Sequence, residues 1–65
     1  MDLDLSSASL KMIYELSDVE FANGWFSGFY FVASLNNLLS AEDLEKMDNL
    51  NKALLEEHKW DGNDD

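Results

Sequence analysis

The 65-residue sequence contains no cysteine and no proline, and its three glycines stand at positions 24, 28 and 62. Without cysteine no disulfide can stabilise the fold, and a single histidine cannot supply the ligands of a structural zinc site. A chain this short buries only a modest part of its unfolded surface. Its stability must therefore come from efficient helix packing or from self-association, and we expect a homo-oligomer, most simply a dimer.

Basic side chains are also scarce. Four Lys and Arg residues oppose 14 Asp and Glu residues, which gives a formal net charge of −10. Such a charge repels nucleic acid and anionic membranes and attracts basic protein surfaces. We therefore expect a protein partner with a basic surface, and no direct contact with nucleic acid or membrane. The acidic start of the chain is unlike a secretory signal, and together with the lack of cysteine it favours a cytoplasmic protein.

Charge divides the chain into three zones. Residues 1–20 carry five acids and one lysine, residues 21–41 carry no charge, and residues 42–65 carry nine acids and three lysines. The uncharged zone contains too many Asn and Ser residues for a membrane span, which needs about 20 predominantly apolar residues. We expect one helical domain over residues 1–60, followed by an acidic flexible tail over 61–65.

Three signals for helix starts punctuate the sequence. Ser6 or Ser7 can cap the free amides of a first helix. Ser17 and Glu20 have the spacing of a capping box, which would start a second helix at Asp18. One long helix running through this point is the alternative. Ser40 can cap a third helix, whose first turn is acidic and so suits the helix dipole.

The absence of proline and the scarcity of glycine favour helix throughout. We therefore predict an all-α fold of two to three helices, at about residues 7–16, 18–39 and 41–59. They would form a helical hairpin or a small bundle, completed by self-association.

Wound as a helix, the uncharged zone is apolar around most of its circumference. Its one polar stripe runs at spacings of four, three, four and three residues, through Asn23, Ser27, Tyr30, Ser34 and Asn37. A helix of this type is usually central and covered from several directions. Two short neighbours can cover only part of it, so a second copy of the chain is the natural cover for the rest.

Gly24 and Gly28 stand four residues apart on one side of this helix, with Phe31 and Leu35 following on the same side. Small residues at this spacing allow another helix backbone to approach closely. Each glycine costs about 1 kcal/mol of helix stability relative to alanine, so a packing gain should offset it. The pair marks either a crossing with another helix of the same chain or the seam of a dimer.

The third helix has an inward apolar stripe formed by Leu44, Met47, Leu50, Leu54 and Leu55. Asn51 and His58 fall on the same stripe. Asn51 is either an amide at the edge of the core or a buried amide that sets the register of a helical bundle. His58 is best explained as a helix-end residue that complements the negative end of the dipole.

An acidic face lies opposite this stripe. Glu42 with Lys46, and Asp48 with Lys52, are acid-before-base pairs at a spacing of four residues, each worth about 0.3–0.5 kcal/mol. The remaining acidic excess is larger than solubility requires, because a net charge of about 2–8 is sufficient for a small domain. We predict that the acidic face contacts the partner, through Glu42, Glu45, Asp48, Glu56 and Glu57.

No constellation of catalytic residues is recognisable. There is no cysteine nucleophile, the only histidine has no serine near it in sequence, and the uncharged aromatic zone contains no carboxylate. The acidic tail lacks the full ligand set and the distal glutamate of a calcium loop. We expect no enzymatic activity, no metal and no cofactor.

The leading hypothesis is a small acidic inhibitor or adaptor that docks on a basic surface of a nucleic-acid-handling protein. Its carboxylates would stand in for phosphates, as in small acidic inhibitors encoded by phages and mobile elements, which is an analogy. The alternative is a homo-oligomeric regulatory or antitoxin-like module that binds a partner helix, or its own copy, through the uncharged helix. A third reading is a subunit that folds fully only on a larger complex.

Overall fold

A computed structural model describes residues 2–60 of the chain, with side chains described through His58. Within this range there are three helices and no strand: α1 spans Leu3–Leu16, α2 spans Val19–Leu35 and α3 spans Ala41–Trp60. Each helix contacts the other two, so the three form one small bundle. The all-α class is thus confirmed, whereas completion by a second copy stays a prediction. The acidic tail predicted for residues 61–65 lies outside the described residues.

Helix α1 begins earlier than the sequence analysis predicts, because Asp2 rather than Ser6 or Ser7 is its cap. The Asp2 carboxylate accepts a 2.9 Å hydrogen bond from the backbone N–H of Asp4. Ser6 is buried on the packed side of the helix instead. The prediction that a serine starts this helix was therefore wrong by about one turn.

A break separates α1 from α2, as the capping signal indicated, and the alternative of one continuous helix is excluded. Ser17 has an extended backbone, with φ −126° and ψ 171°. The cap of α2 is Asp18, whose carboxylate accepts a 2.8 Å hydrogen bond from the N–H of Phe21. The cap is thus one residue later than the Ser17–Glu20 spacing suggested.

Helix α2 ends at Leu35, four residues before the predicted end at residue 39. The side-chain amide of Asn36 donates a 2.9 Å hydrogen bond to the backbone oxygen of Val32, which also accepts a 3.0 Å hydrogen bond from the backbone N–H of Asn36. Asn37 then adopts a left-handed conformation with φ 55°, and asparagine tolerates this region better than most residues. This turn leads the chain back so that α3 can pack against α2.

Helix α3 starts where the sequence predicted. The Ser40 hydroxyl accepts a 3.1 Å hydrogen bond from the N–H of Asp43. On its predicted inward stripe, Leu44, Met47 and Asn51 are buried. The hydrophobic core shared by the helices and the turn before α3 is small, and consists of Leu10, Tyr14, Ala22, Phe26, Ala33, Leu39, Leu44 and Met47.

Candidate interaction surfaces

One side of α2 is apolar and exposed. Helical periodicity separates it from the packed side, which carries Ala22, Phe26 and Ala33. Three of its large side chains leave more than half of their surface in solvent: Phe21 is 60%, Phe31 64% and Leu35 65% exposed. We call this surface the glycine face, and define it by Phe21, Gly24, Gly28, Phe31, Val32 and Leu35.

The two glycines of this face meet no other helix of the described chain. A Cβ atom built on Gly24 or on Gly28 has no neighbouring atom within 4 Å. Close approach of α1 or α3 therefore does not account for either glycine. The structure does not show a crossing of these glycines with another helix of the same chain. The open space beside them leaves room for contact with another molecule.

An open groove of about 470 Å³ lies beside the glycines. One wall is an aromatic pair, in which the rings of Trp25 and Phe29 stack with centroids 5.5 Å apart and an interplanar angle of 7°. Both rings are half-buried. Val32 and Leu38 also line the groove. The pairing of Trp25 with Phe29 was not predicted from the sequence. Their spacing of four residues, which places them on one side of a helix, is the signal that could have indicated it.

The apolar surface continues from α2 onto α1. A further groove of about 300 Å³ brings Leu5 of α1 to the same Trp25 and Phe29 pair. Leu5 and, further along α1, Met12 and Leu16 are exposed as well. The exposed apolar area is therefore larger than a single helix face.

Asn51, which the sequence analysis placed among the packing residues, makes its contacts inside the bundle. Its Oδ1 accepts a 2.6 Å hydrogen bond from the hydroxyl of Tyr14, and its Nδ2 donates a 3.3 Å hydrogen bond to Oδ1 of Asn23. Burial of Tyr14 raises the pKa of its phenol. The ring of His58 lies 5.4 Å from that of Tyr14. Neither Tyr14 nor Asn23 was identified as a partner of Asn51 from the sequence.

The acidic candidates divide into one row and two flanking residues. Glu42, Glu45 and Glu56 are exposed along the side of α3 opposite its packed stripe. Glu57 is exposed beside this row, and Asp48 is half-buried. Asp48 lies toward α2, where it lines a groove with Phe26, Ser27, Tyr30 and Phe31.

Two of the acidic candidates have lysine partners. Lys46 is 3.9 Å from Glu42 and Lys52 is 3.3 Å from Asp48, as the spacing of four residues predicted. Because three of these four side chains are largely exposed and Asp48 is partly exposed, each pair adds at most about a few tenths of a kcal/mol. Lys46 offsets one charge of the acidic row, and Lys52 offsets the charge of the flanking Asp48.

Among the described residues, no group of three or more His, Cys, Asp or Glu side chains is placed to hold a metal ion. None of the three helices described combines the length and apolar character needed to cross a bilayer. Comparison with protein-family models, with curated proteins and with solved structures finds no match to this chain. The two surfaces themselves are thus the basis for a functional proposal.

Proposed function

We propose that this protein is a non-catalytic interaction module whose glycine face binds a helix of another polypeptide chain. The observation that carries the proposal is the exposure of this face. Phe21 and Phe31 each leave more than half of their surface in water, on the order of 100 Å² apiece for side chains of this size. Contiguous apolar patches of several hundred Å² are uncommon on monomers and mark interaction sites.

The chemistry of the face favours a helical ligand. Gly24 and Gly28 present bare backbone one helical turn apart, which allows another helix axis to come unusually close. The groove between these glycines and the aromatic pair of Trp25 and Phe29 can accept a ridge of side chains. No charged residue occurs between positions 21 and 41, so the contact is held by apolar burial. Such a surface would suit a small regulatory or antitoxin-like protein.

A second candidate function uses the acidic row. Glu42, Glu45 and Glu56 are exposed on the side of α3 that faces away from the bundle. Glu42 and Glu45 lie one helical turn apart, about 6 Å, a spacing comparable to that of backbone phosphates, and Glu56 lies about three turns further along α3. In this proposal the row docks on the basic surface of a nucleic-acid-handling protein and blocks it. Charge attraction would make such binding sensitive to salt.

A capture experiment separates the two candidates. The tagged protein is incubated with nuclease-treated bacterial lysate at low and at high salt. Two variants are run beside it: one with Phe31→Gln and Leu35→Gln on the glycine face, and one with Glu42, Glu45 and Glu56 each changed to Lys. All five positions are exposed, so both variants should fold.

We expect a helical partner, or additional copies of the chain, that is retained at high salt and lost with the glycine-face variant. The triple charge reversal should leave this capture intact. The reverse pattern, with capture weakened by salt and abolished by the charge reversal, would move the proposal to the acidic row. Capture that neither variant changes would contradict both.

A further inference from the structure

The glycine face has the same arrangement when it is read from either end. Gly24 and Gly28 lie two residues on either side of position 26, and Phe21 and Phe31 lie five residues on either side. Antiparallel pairing of two such faces about this level places Phe21 opposite Phe31 and Gly24 opposite Gly28. A two-fold interface requires a patch that is complementary to itself, and this spacing meets the requirement.

We propose that the glycine face binds the glycine face of a second copy of this chain, with the two α2 helices antiparallel and crossing at the level of Phe26. This inference rests on the proposed function, because it names the ligand of the same surface. It adds the identity of the partner, the orientation and the crossing point.

The order of small and large residues matches the shape of two crossing helices. Crossing helices are closest at the crossing point, where Gly24 and Gly28 offer open space. Phe21 and Phe31 lie about 7.5 Å along the axis from that point. The helices have diverged there, and the two rings fill the widening gap. Phe21 of one copy reaches the end of the groove that Val32 and Leu38 line in the other.

Charge selects the antiparallel orientation. Each copy has a formal net charge of −10, so any dimer must keep its acids apart. Asp18 and Glu20 stand at the N-terminal end of α2, whereas residues 21–41 are uncharged. A parallel pair would place each of these acids beside its own counterpart. In the antiparallel pair they lie beside the uncharged residues 32–34 of the other copy.

The area is sufficient for a weak dimer. Leu35 of one copy reaches the junction of α1 and α2 in the other, where Leu16 is 77% exposed. With Phe21, Phe31 and Val32, each copy buries several hundred Å² of apolar surface. The total for the two copies, roughly 1,000 Å² or less, lies below the roughly 1,200–2,000 Å² of standard interfaces and in the range of weak, transient ones. We therefore expect reversible dimerisation in the micromolar range of concentration.

Alanine substitution at both glycines tests the crossing point, because its effects on the monomer and on the dimer have opposite signs. The added Cβ atoms meet nothing in the monomer, and alanine favours helix, so Gly24→Ala with Gly28→Ala should raise monomer stability. The same atoms separate the two helices of the dimer. We expect dimer affinity, measured by sedimentation velocity over a concentration series, to fall at least about tenfold. Ala53→Leu, which adds bulk at an exposed position on the side of α3 opposite its packed stripe, is the control.

Cross-linking tests the orientation. The chain has no cysteine of its own, so introduced thiols are the only ones present. A mixture of the Glu20→Cys and Ser34→Cys variants keeps every residue of the glycine face, and both positions are exposed. Treated with a short thiol-to-thiol cross-linker, it should give a covalent dimer joining position 20 to position 34. Either variant alone should give much less. Added salt should strengthen the dimer, because it screens the repulsion between the two acidic chains.

The possible outcomes distinguish this inference from the proposed function. A chain that is monomeric at all accessible concentrations overturns the dimer, and the proposed function stands if capture of another protein still requires Phe31 and Leu35. A dimer that tolerates the glycine substitutions, or that cross-links position 20 to position 20, overturns the antiparallel crossing. The expected cross-link together with the loss of dimer in the glycine variant supports both.

Discussion

The hydroxyl of Tyr14 donates a 2.6 Å hydrogen bond to Oδ1 of Asn51, and both side chains are buried. The Nδ2 atom of Asn51 in turn donates a hydrogen bond to Oδ1 of Asn23. One residue comes from each helix, so a shift of any helix along its axis would leave a buried polar group without a partner. Among the described residues, every buried side-chain nitrogen and oxygen has a hydrogen-bond partner. This network gives a small apolar core one preferred arrangement of helices.

Tyr14→Phe should destabilise the fold by about 1–2 kcal/mol, because Oδ1 of Asn51 loses its donor while it stays buried. Urea denaturation followed by circular dichroism measures the change. Tyr30→Phe is the control, since Tyr30 is 37% exposed and its hydroxyl is not part of the buried network, so this change should alter stability by less than about 0.5 kcal/mol. Adding Asn51→Leu to Tyr14→Phe should recover part of the loss, since it removes the unpaired oxygen. A single Tyr14 variant as stable as the wild type would contradict the role of the network.

The stability of the fold should fall at alkaline pH because of Tyr14. Burial raises the pKa of this phenol above its ordinary value of about 10. The unfolded chain therefore loses the proton first, so stability is complete below pH about 10 and declines as the pH rises through the folded pKa. Denaturation at a series of alkaline pH values should show a smaller decline for Tyr14→Phe. In a Tyr30→Phe background, the tyrosinate absorbance of Tyr14 should appear only above the usual range.

Local signals in the sequence predicted most of the fold. Ser40 caps α3 as expected, because capping depends only on the residues that follow. The start of α1 was missed because Asp2 and Ser6 both suit a cap, and the burial of Ser6 against the rest of the bundle decides between them. The end of α2 was missed because Leu38 and Leu39 continue its apolar pattern past Asn37, whose left-handed backbone ends the helix.

The glycine face could be identified only in part. The sequence placed Gly24, Gly28, Phe31 and Leu35 on one side of a helix that is apolar on most sides. Periodicity cannot say which apolar side of such a helix the neighbouring helices cover. The side with Ala22, Phe26 and Ala33 is buried and belongs to the shared core. That choice depends on tertiary packing, as do the partners of Asn51.

Asn37→Gly should leave stability unchanged or raise it slightly, and Asn37→Val should lower it by about 1–2 kcal/mol. The reason is the backbone, which has φ 55° at this position. Glycine adopts this region freely, asparagine tolerates it, and a β-branched residue is strained there. The midpoints of thermal unfolding of the wild type and the two variants give the order. If valine proved as stable as glycine, the left-handed turn would not be the end of α2 in solution.

Glu45→Lys should leave the free energy of unfolding unchanged or raise it by up to about 0.5 kcal/mol, although the substitution changes the net charge of the chain by two units. Glu45 is exposed on α3 and has Glu42 and Asp48 three residues away on either side, so its present neighbours repel it. A lysine there would attract both. The gain should shrink at high salt because the charges are exposed. A marked loss of stability on this change would show that Glu45 makes a contact inside the bundle, and would remove the charge-reversed variant as a clean test of the acidic row.

Phe26→Ala and Phe31→Ala compare two phenylalanines of the same helix that lie on opposite sides of it. Phe26 is buried in the core, so its removal should cost about 3–5 kcal/mol and unfold much of a domain this small. Phe31 is 64% exposed, so its loss should change the stability of the monomer by less than about 1 kcal/mol. Both values are measured by denaturation at high dilution, where the chain is monomeric. At higher concentration Phe31→Ala should become destabilising as well, because association adds stability only to chains that can associate. A large, concentration-independent cost at Phe31 would mean that this side chain belongs to the core, and that the glycine face is not free to bind anything.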